Sequence, residues 1–191
     1  MSANTIAENR RRHPLDASQQ VWLFGYGSLI FKVDFPYLQA RQASIRGWSR
    51  RFWQGSHDHR GNDAFPGRVV TLIEEKGAIC DGMAYQVEAS VFEQLDVREK
   101  NGYLRFTTEM TFDDGSHDNG LVYIATADNE AYLGEASELE IARQISQAEG
   151  ASGANSEYLL ELARALRELE MQDAHVFEID RHLRAIIDAS D

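Results

Sequence analysis

The chain has 191 residues, 43% hydrophobic and 26% charged, ordinary usage for a folded domain and unlike a disordered chain. Its 31 acids against 19 bases give a net charge of −12, the wrong balance for a protein that neutralises phosphates, which argues against nucleic acid as a partner. No apolar run approaches the roughly 18 residues of a membrane span, nothing near the start reads as an export signal, and the one cysteine, Cys80, excludes an intrachain disulfide framework. One soluble, cytoplasmic domain is expected.

Residues 1–20 are polar, carry Arg10, Arg11 and Arg12, and show no period; a flexible arm is expected there, with the domain proper at 21–191. Val21–Tyr26 is short, apolar and aromatic and ends in a glycine-rich turn, as a buried strand does. Ser44–Trp53, Gly67–Ile73, Ile79–Val87, Leu104–Phe112 and Leu121–Thr126 are further strands rich in β-branched and aromatic residues. Asp113-Asp114-Gly115 marks a turn between the last two. Ser90 is placed to cap a short helix from Val91 to about Arg98, stopped near Asn101-Gly102. Then the period changes. Ser137 and Glu140 form a capping-box pattern ahead of Ile141, Ala142, Ile145 and Ala148. Leu159, Leu162, Ala163, Leu166 and Leu169 give a second helical stripe, and Ile179, Leu183, Ile186 and Ile187 a third. Gly150–Asn155 reads as a loop. Strands first and helices after imply an α+β fold, with a curved or barrel-like sheet and helices packed outside.

Phe24-Gly25-Tyr26-Gly27-Ser28-Leu29 lies where the first strand ends. Its two glycines permit positive φ and a close backbone approach, so both a tight turn and an anion or oxyanion cradle fit it. It is not a dinucleotide fingerprint, because Ile30 occupies the third glycine position, and no P-loop lysine or serine elbow follows. His57, Asp58, His59 and Asp63 have metal-ligand chemistry, but no complementary spacing supports them and no metal is expected. Cys80 sits in an expected strand and reads as a core thiol. Glu99 falls at the C-terminal end of the Val91–Arg98 helix, where the helix dipole raises a carboxylate's pKa, while Arg98 and Lys100 oppose that if they point inward. A solvated charge cluster fits the same pattern. These residues offer a cradle and a carboxylate but no reaction.

The order of motifs adds a family. From Val21 to about Ile186 a series of motifs follows one order: Phe24–Leu29, Val33-Asp34-Phe35-Pro36-Tyr37, Arg50-Arg51-Phe52-Trp53-Gln54-Gly55-Ser56, Asp58-His59-Arg60-Gly61 and Pro66–Leu72. It continues in Arg98-Glu99-Lys100, Gly102-Tyr103, Tyr132-Leu133-Gly134, Ser152-Gly153 and Asn155-x-Glu157-Tyr158-Leu159. In that order the chain resembles the ChaC family of γ-glutamylcyclotransferases, specifically its glutathione-specific branch. Asn101 and Ala151 depart from the family's pattern, the first at a glycine position where Asn is tolerated. The resemblance implies a small, partly closed mixed β-barrel with flanking helices. It implies that Glu99 is the catalytic acid/base and that Leu23, Phe24, Gly25, Tyr26, Gly27, Ser28 and Leu29 form the substrate loop. Tyr103 and Tyr123 are weaker substrate-positioning candidates. The implied reaction cleaves glutathione to 5-oxoproline and Cys-Gly without cofactor or metal. Action on other γ-glutamyl amines or amino acids, and a binding barrel without turnover, stay open, although an intact Glu99 argues against the last.

Overall fold

The computed structural model describes residues 4–190; the first three residues of the expected arm, and Asp191, lie outside the described residues. The apolar runs Gly67–Ile73 and Ile79–Val87 belong to a single strand, because the polar stretch between them stays extended and exposed. We label the elements in chain order: α1 is Ile6–Arg12, β1 Gln20–Gly25, α2 Ser28–Phe31, β2 Gln39–Ser56 and β3 Gly67–Glu88. β2 and β3 form a long antiparallel ribbon from Gln39↔Gln86 to Ser56↔Gly67, with register shifts at Arg46/Trp48 and Arg51/Gln54. Gly47 and Gly77 adopt positive φ at the first shift, where a bulge lets one ribbon bend and serve as two walls of a barrel.

β3 continues to α3 (Val91–Arg98), the hairpin β4 (Tyr103–Phe112) and β5 (His117–Ala125), and then α4 (Glu138–Gln147). The barrel order is β1-β3-β2-β4-β5, closed by a parallel contact at Leu23↔Leu121. The β2–β4 seam holds only Ala43↔Phe112 and Ser44↔Thr111. The barrel is therefore closed, and what was expected as partial closure is the shortness of two seams.

The helical stripes are buried as their spacing requires. Ser137 and Glu140 form both bonds of the capping box at the start of α4. α5 (Asn155–Glu168) and α6 (Ala174–Asp188) join α4 over one side of the barrel, where Ile141, Leu159, Leu162, Leu166, Ile179 and Leu183 are fully buried. A second cluster, with Leu23, Leu29, Tyr85, Phe92 and Leu95, lies under α3. Gly150–Asn155 is not simply a loop: β6 (Glu149–Gly150) and β7 (Gly153–Ala154) pair, and their turn bonds to the β2–β3 connection through Ala151 N–H to Asp58 C=O and Ser152 N–H to His59 C=O.

The expected flexible arm is docked instead. α1 has no apolar stripe, so periodicity does not reveal it. Its central Asn9 is fully buried and bonds to the main chain of Tyr103 and Arg105, about ninety residues away in sequence.

Candidate active site

Gly25 and Gly27 are required by space and not, as expected, by positive φ, which neither adopts. A Cβ on Gly25 would stand 2.8 Å from Leu29 Cβ, and one on Gly27 2.6 Å from Val70 Cγ2 and 3.0 Å from the Tyr158 hydroxyl. The Tyr26–Leu29 turn is thus pressed between β3 and α5. Buried Arg50 fixes it from behind, its Nε donating to the Tyr26 carbonyl at 2.6 Å and its Nη1 to Asp173 Oδ2 at 2.6 Å. The Tyr26 hydroxyl donates to the Tyr123 carbonyl at 2.5 Å. At the start of α2, Ile30 N–H donates back to Gly27 C=O at 2.9 Å, whereas the Ser28 and Leu29 N–H groups have no acceptor among the described residues.

Glu99 is the C-cap of α3, its N–H donating to Leu95 C=O at 2.8 Å. Its side chain is 15% exposed, not solvated. Arg98 is engaged elsewhere: Nη1 donates to the Lys32 carbonyl at 3.0 Å and to Asp34 Oδ1 at 2.6 Å, and Nη2 donates to Ser28 Oγ at 2.9 Å. Its Nε stays 3.7 Å from Glu99 Oε1, beyond hydrogen-bond reach. Burial pushes the Glu99 carboxyl up to about 7, Arg98 opposes this, and Asp58 and Asp34 add to it. A carboxyl near 7 populates both base and acid at neutral pH.

Glu99 stands at the junction of an outer cleft of about 450 Å³ and an inner chamber of about 40 Å³, the outer one in the size range of small-molecule sites. Ser28, Glu99, Tyr103 and Tyr158 border both. Phe24, Tyr26, Gly27, Leu29 and Tyr123 line the chamber only, and Asp34, Asp58, Arg60, Arg98 and Lys100 the cleft only. Two residues of the expected loop touch neither. Leu23 is fully buried in the cluster under α3, and Gly25 lies against Leu29. The Tyr103 hydroxyl donates to Val70 C=O at 2.7 Å, and that of Tyr123 to Asp96 Oδ1 at 2.7 Å.

Tyr158, Asp34 and Asp58 reach the site, although sequence reasoning gave the first two no role and weighed Asp58 only as a metal ligand. Each lies in one of the family motifs, which was the available signal. His59 Nδ1 meets Ser152 Oγ at 3.0 Å and His57 faces Asp63 at 3.8 Å. Among the described residues no three His, Cys, Asp or Glu side chains form a metal-ligand group. Cys80 is buried, which pushes its thiol up to about 11 and makes it a poor nucleophile. No helix of the described residues is long and apolar enough to cross a membrane.

This geometry has counterparts. A family model described as ChaC-like protein matches residues 21–186. Glutathione-specific gamma-glutamylcyclotransferase 1 of Danio rerio is 46% identical over 178 residues, covering 87% of this chain and 90% of that protein. The Homo sapiens protein of the same name is 45% identical over 181 residues, covering 90% and 78%. A crystal structure of the yeast gamma-glutamyl cyclotransferase specific to glutathione superposes with a TM-score of 0.79 at 30% identity, covering 88% of this chain and 99% of that one. The chain belongs to the ChaC-like family.

Proposed function

We propose that this chain is a glutathione-specific γ-glutamylcyclotransferase that converts glutathione to 5-oxoproline and Cys-Gly. The observation that carries this reading is Glu99: a mostly buried carboxyl, without a hydrogen-bond donor among the described residues, at the junction of a cleft and a small chamber. Its setting lies within a chain that is similar over nearly its whole length to proteins so named.

In the proposed reaction the γ-glutamyl unit lies in the part of the cleft against Glu99, with its oxygens towards the mouth of the chamber, and Cys-Gly extends along the outer cleft. Glu99 takes a proton from the α-ammonium, and the freed amine attacks the γ-carbonyl carbon of the same molecule. The Ser28 and Leu29 amides at the start of α2 offer donors to the anionic oxygens of the γ-glutamyl unit. Glu99 then returns its proton to the cysteinyl nitrogen as the C–N bond breaks, and the ring nitrogen gives up its second proton by way of the freed carboxylate to the departing amine, leaving a neutral lactam and the Cys-Gly ammonium. One carboxylate thus serves as base and then acid, and water is not consumed. An ordinary α-ammonium titrates near 8. Raising the carboxyl from 4.5 to about 7 therefore removes about 3 kcal/mol from the uphill proton transfer.

Incubation of the purified protein with reduced glutathione should release 5-oxoproline and Cys-Gly in equal amounts, with EDTA making no difference. A kcat/KM that strongly favours γ-glutamyl-alanine would refute the glutathione assignment.

A further inference from the structure

The family match begins at residue 21, yet the segment ahead of it holds the turn that carries Glu99. Asn4 bridges to Asn101. Thr5 N–H donates to Lys100 C=O at 3.0 Å and the Thr5 hydroxyl to the same carbonyl at 3.1 Å. Further along, fully buried Asn9 accepts from Arg105 N–H at 2.8 Å and donates to Tyr103 C=O at 3.0 Å. Arg12 Nε donates to Arg105 C=O at 3.1 Å, and Arg105 Nη1 to His13 C=O at 2.9 Å.

These bonds have a structural logic. β4 pairs with β5 from Tyr103 to Thr111, but on its other side β2 reaches it only at Phe112 and Thr111. Near Tyr103 that second edge has no strand. Its main-chain groups need partners, and the Asn9 amide supplies one donor and one acceptor in place of a neighbouring strand. The turn is gripped from the barrel as well, where Gln54 Nε2 donates to Asn101 C=O at 3.1 Å.

We propose that residues 4–13 form a strap that sets the position of the catalytic turn, with Asn9 and Thr5 as its positioning residues. The proposal rests on the role given to Glu99 above. The strap touches main chain and not substrate, so its loss should let Glu99 drift from its attack geometry without weakening substrate binding. It should also admit water to the carboxyl, which is faced by Arg98, Asp34 and Asp58 and by the tyrosine hydroxyls of residues 26, 103 and 158.

The test uses full-length Asn9→Ala, Thr5→Val and Thr5→Ser, each assayed with reduced glutathione across pH. The Glu99 carboxyl is titrated by carbon-13 NMR, its signal assigned with Glu99→Gln. Asn9→Ala should lower kcat about tenfold to a hundredfold, the scale of a small misplacement of reacting groups, with KM within about twofold. The Glu99 titration should move down from about 7 towards the ordinary carboxylate range. Thr5→Val should move both readouts the same way and Thr5→Ser should restore them. If the variants only melt earlier, with kcat of the folded protein and the Glu99 titration at wild-type values, the strap is structural and the proposal falls. If Asn9→Ala does not fold, the part-buried Thr5 hydroxyl decides by the same criteria. A wild type without cyclotransferase activity would refute the proposed reaction instead, and the NMR titration would still show whether the strap positions Glu99.

Discussion

Asp96 and Glu99 stand three residues apart at the end of the same helix and meet opposite surroundings. Asp96 is 1% exposed and fully partnered. Arg105 Nε donates to Oδ1 at 2.9 Å and Nη2 to Oδ2, and the Tyr123 hydroxyl adds a third bond at 2.7 Å. Glu99 is also largely buried, yet its nearest guanidinium is held 3.7 Å away by bonds to Asp34, Ser28 and Lys32. Burial alone therefore does not mark a reactive carboxylate. One of these acids is satisfied and anchors helix to barrel; the other is kept without donors, so that burial raises its proton affinity.

The sharpest way to break this contrast is Glu99→Gln. The amide keeps the size of the side chain but cannot exchange a proton near neutrality, and general acid–base catalysis contributes about 10²–10⁴ in rate. We expect kcat to fall by that factor while glutathione still binds in calorimetry. Retention of more than about a tenth of the activity would remove Glu99 from the chemistry. The variant should also be the more stable protein at high pH. The folded state holds the Glu99 proton more tightly than the unfolded chain does. Wild type therefore loses stability relative to the variant as pH rises from 4.5 to about 7, by up to about 3 kcal/mol, and the gap is constant above that. The acid limb of kcat/KM should fall near the same pH.

Asp96→Ala tests the other half of the comparison. It strands Arg105, which is 3% exposed, and removing one partner of a buried pair costs about 3–5 kcal/mol. Tm should drop by about 6–20 °C, while kcat measured below the transition falls far less than in Glu99→Gln. A variant that melts like wild type would mean that the Arg105 pairing is not an anchor.

The two carboxylates also show what the sequence exposes. The end of α3, where Glu99 is proposed to act, was legible because its signals are local: an apolar helix, a stop at Asn101-Gly102, and motifs in family order. The α4–α6 stripes were legible for the same reason, since helical periodicity reports one buried face. Asp96 gave no local signal, because Arg105 and Tyr123 reach it from two different strands. Asn9 was less visible still, because its partners are main-chain groups and main chain leaves no pattern. Gly47 falls inside the expected Ser44–Trp53 strand, but across the bend the polar Glu74–Gly77 separates two expected strands, whereas exposure in the middle of a bent ribbon requires just that polarity.

Tyr123→Phe should give the smallest effect and asks which carboxylate this residue serves. The family resemblance makes it a substrate-positioning candidate and its ring borders the chamber, but its hydroxyl donates to Asp96 at 2.7 Å. Phe keeps the ring and its stacking on Phe92, with centroids 6.3 Å apart. What is lost is one hydrogen bond to a charged acceptor that retains both bonds from Arg105. We expect about 1–2 kcal/mol of destabilisation, a Tm lower by about 2–8 °C, and kcat within about threefold of wild type. The opposite pattern, a tenfold loss of kcat with an unchanged melt, would place the hydroxyl on the substrate. It would then follow that the Asp96 network reaches into the chemistry, and the division between an anchoring and a reacting carboxylate on α3 would no longer hold.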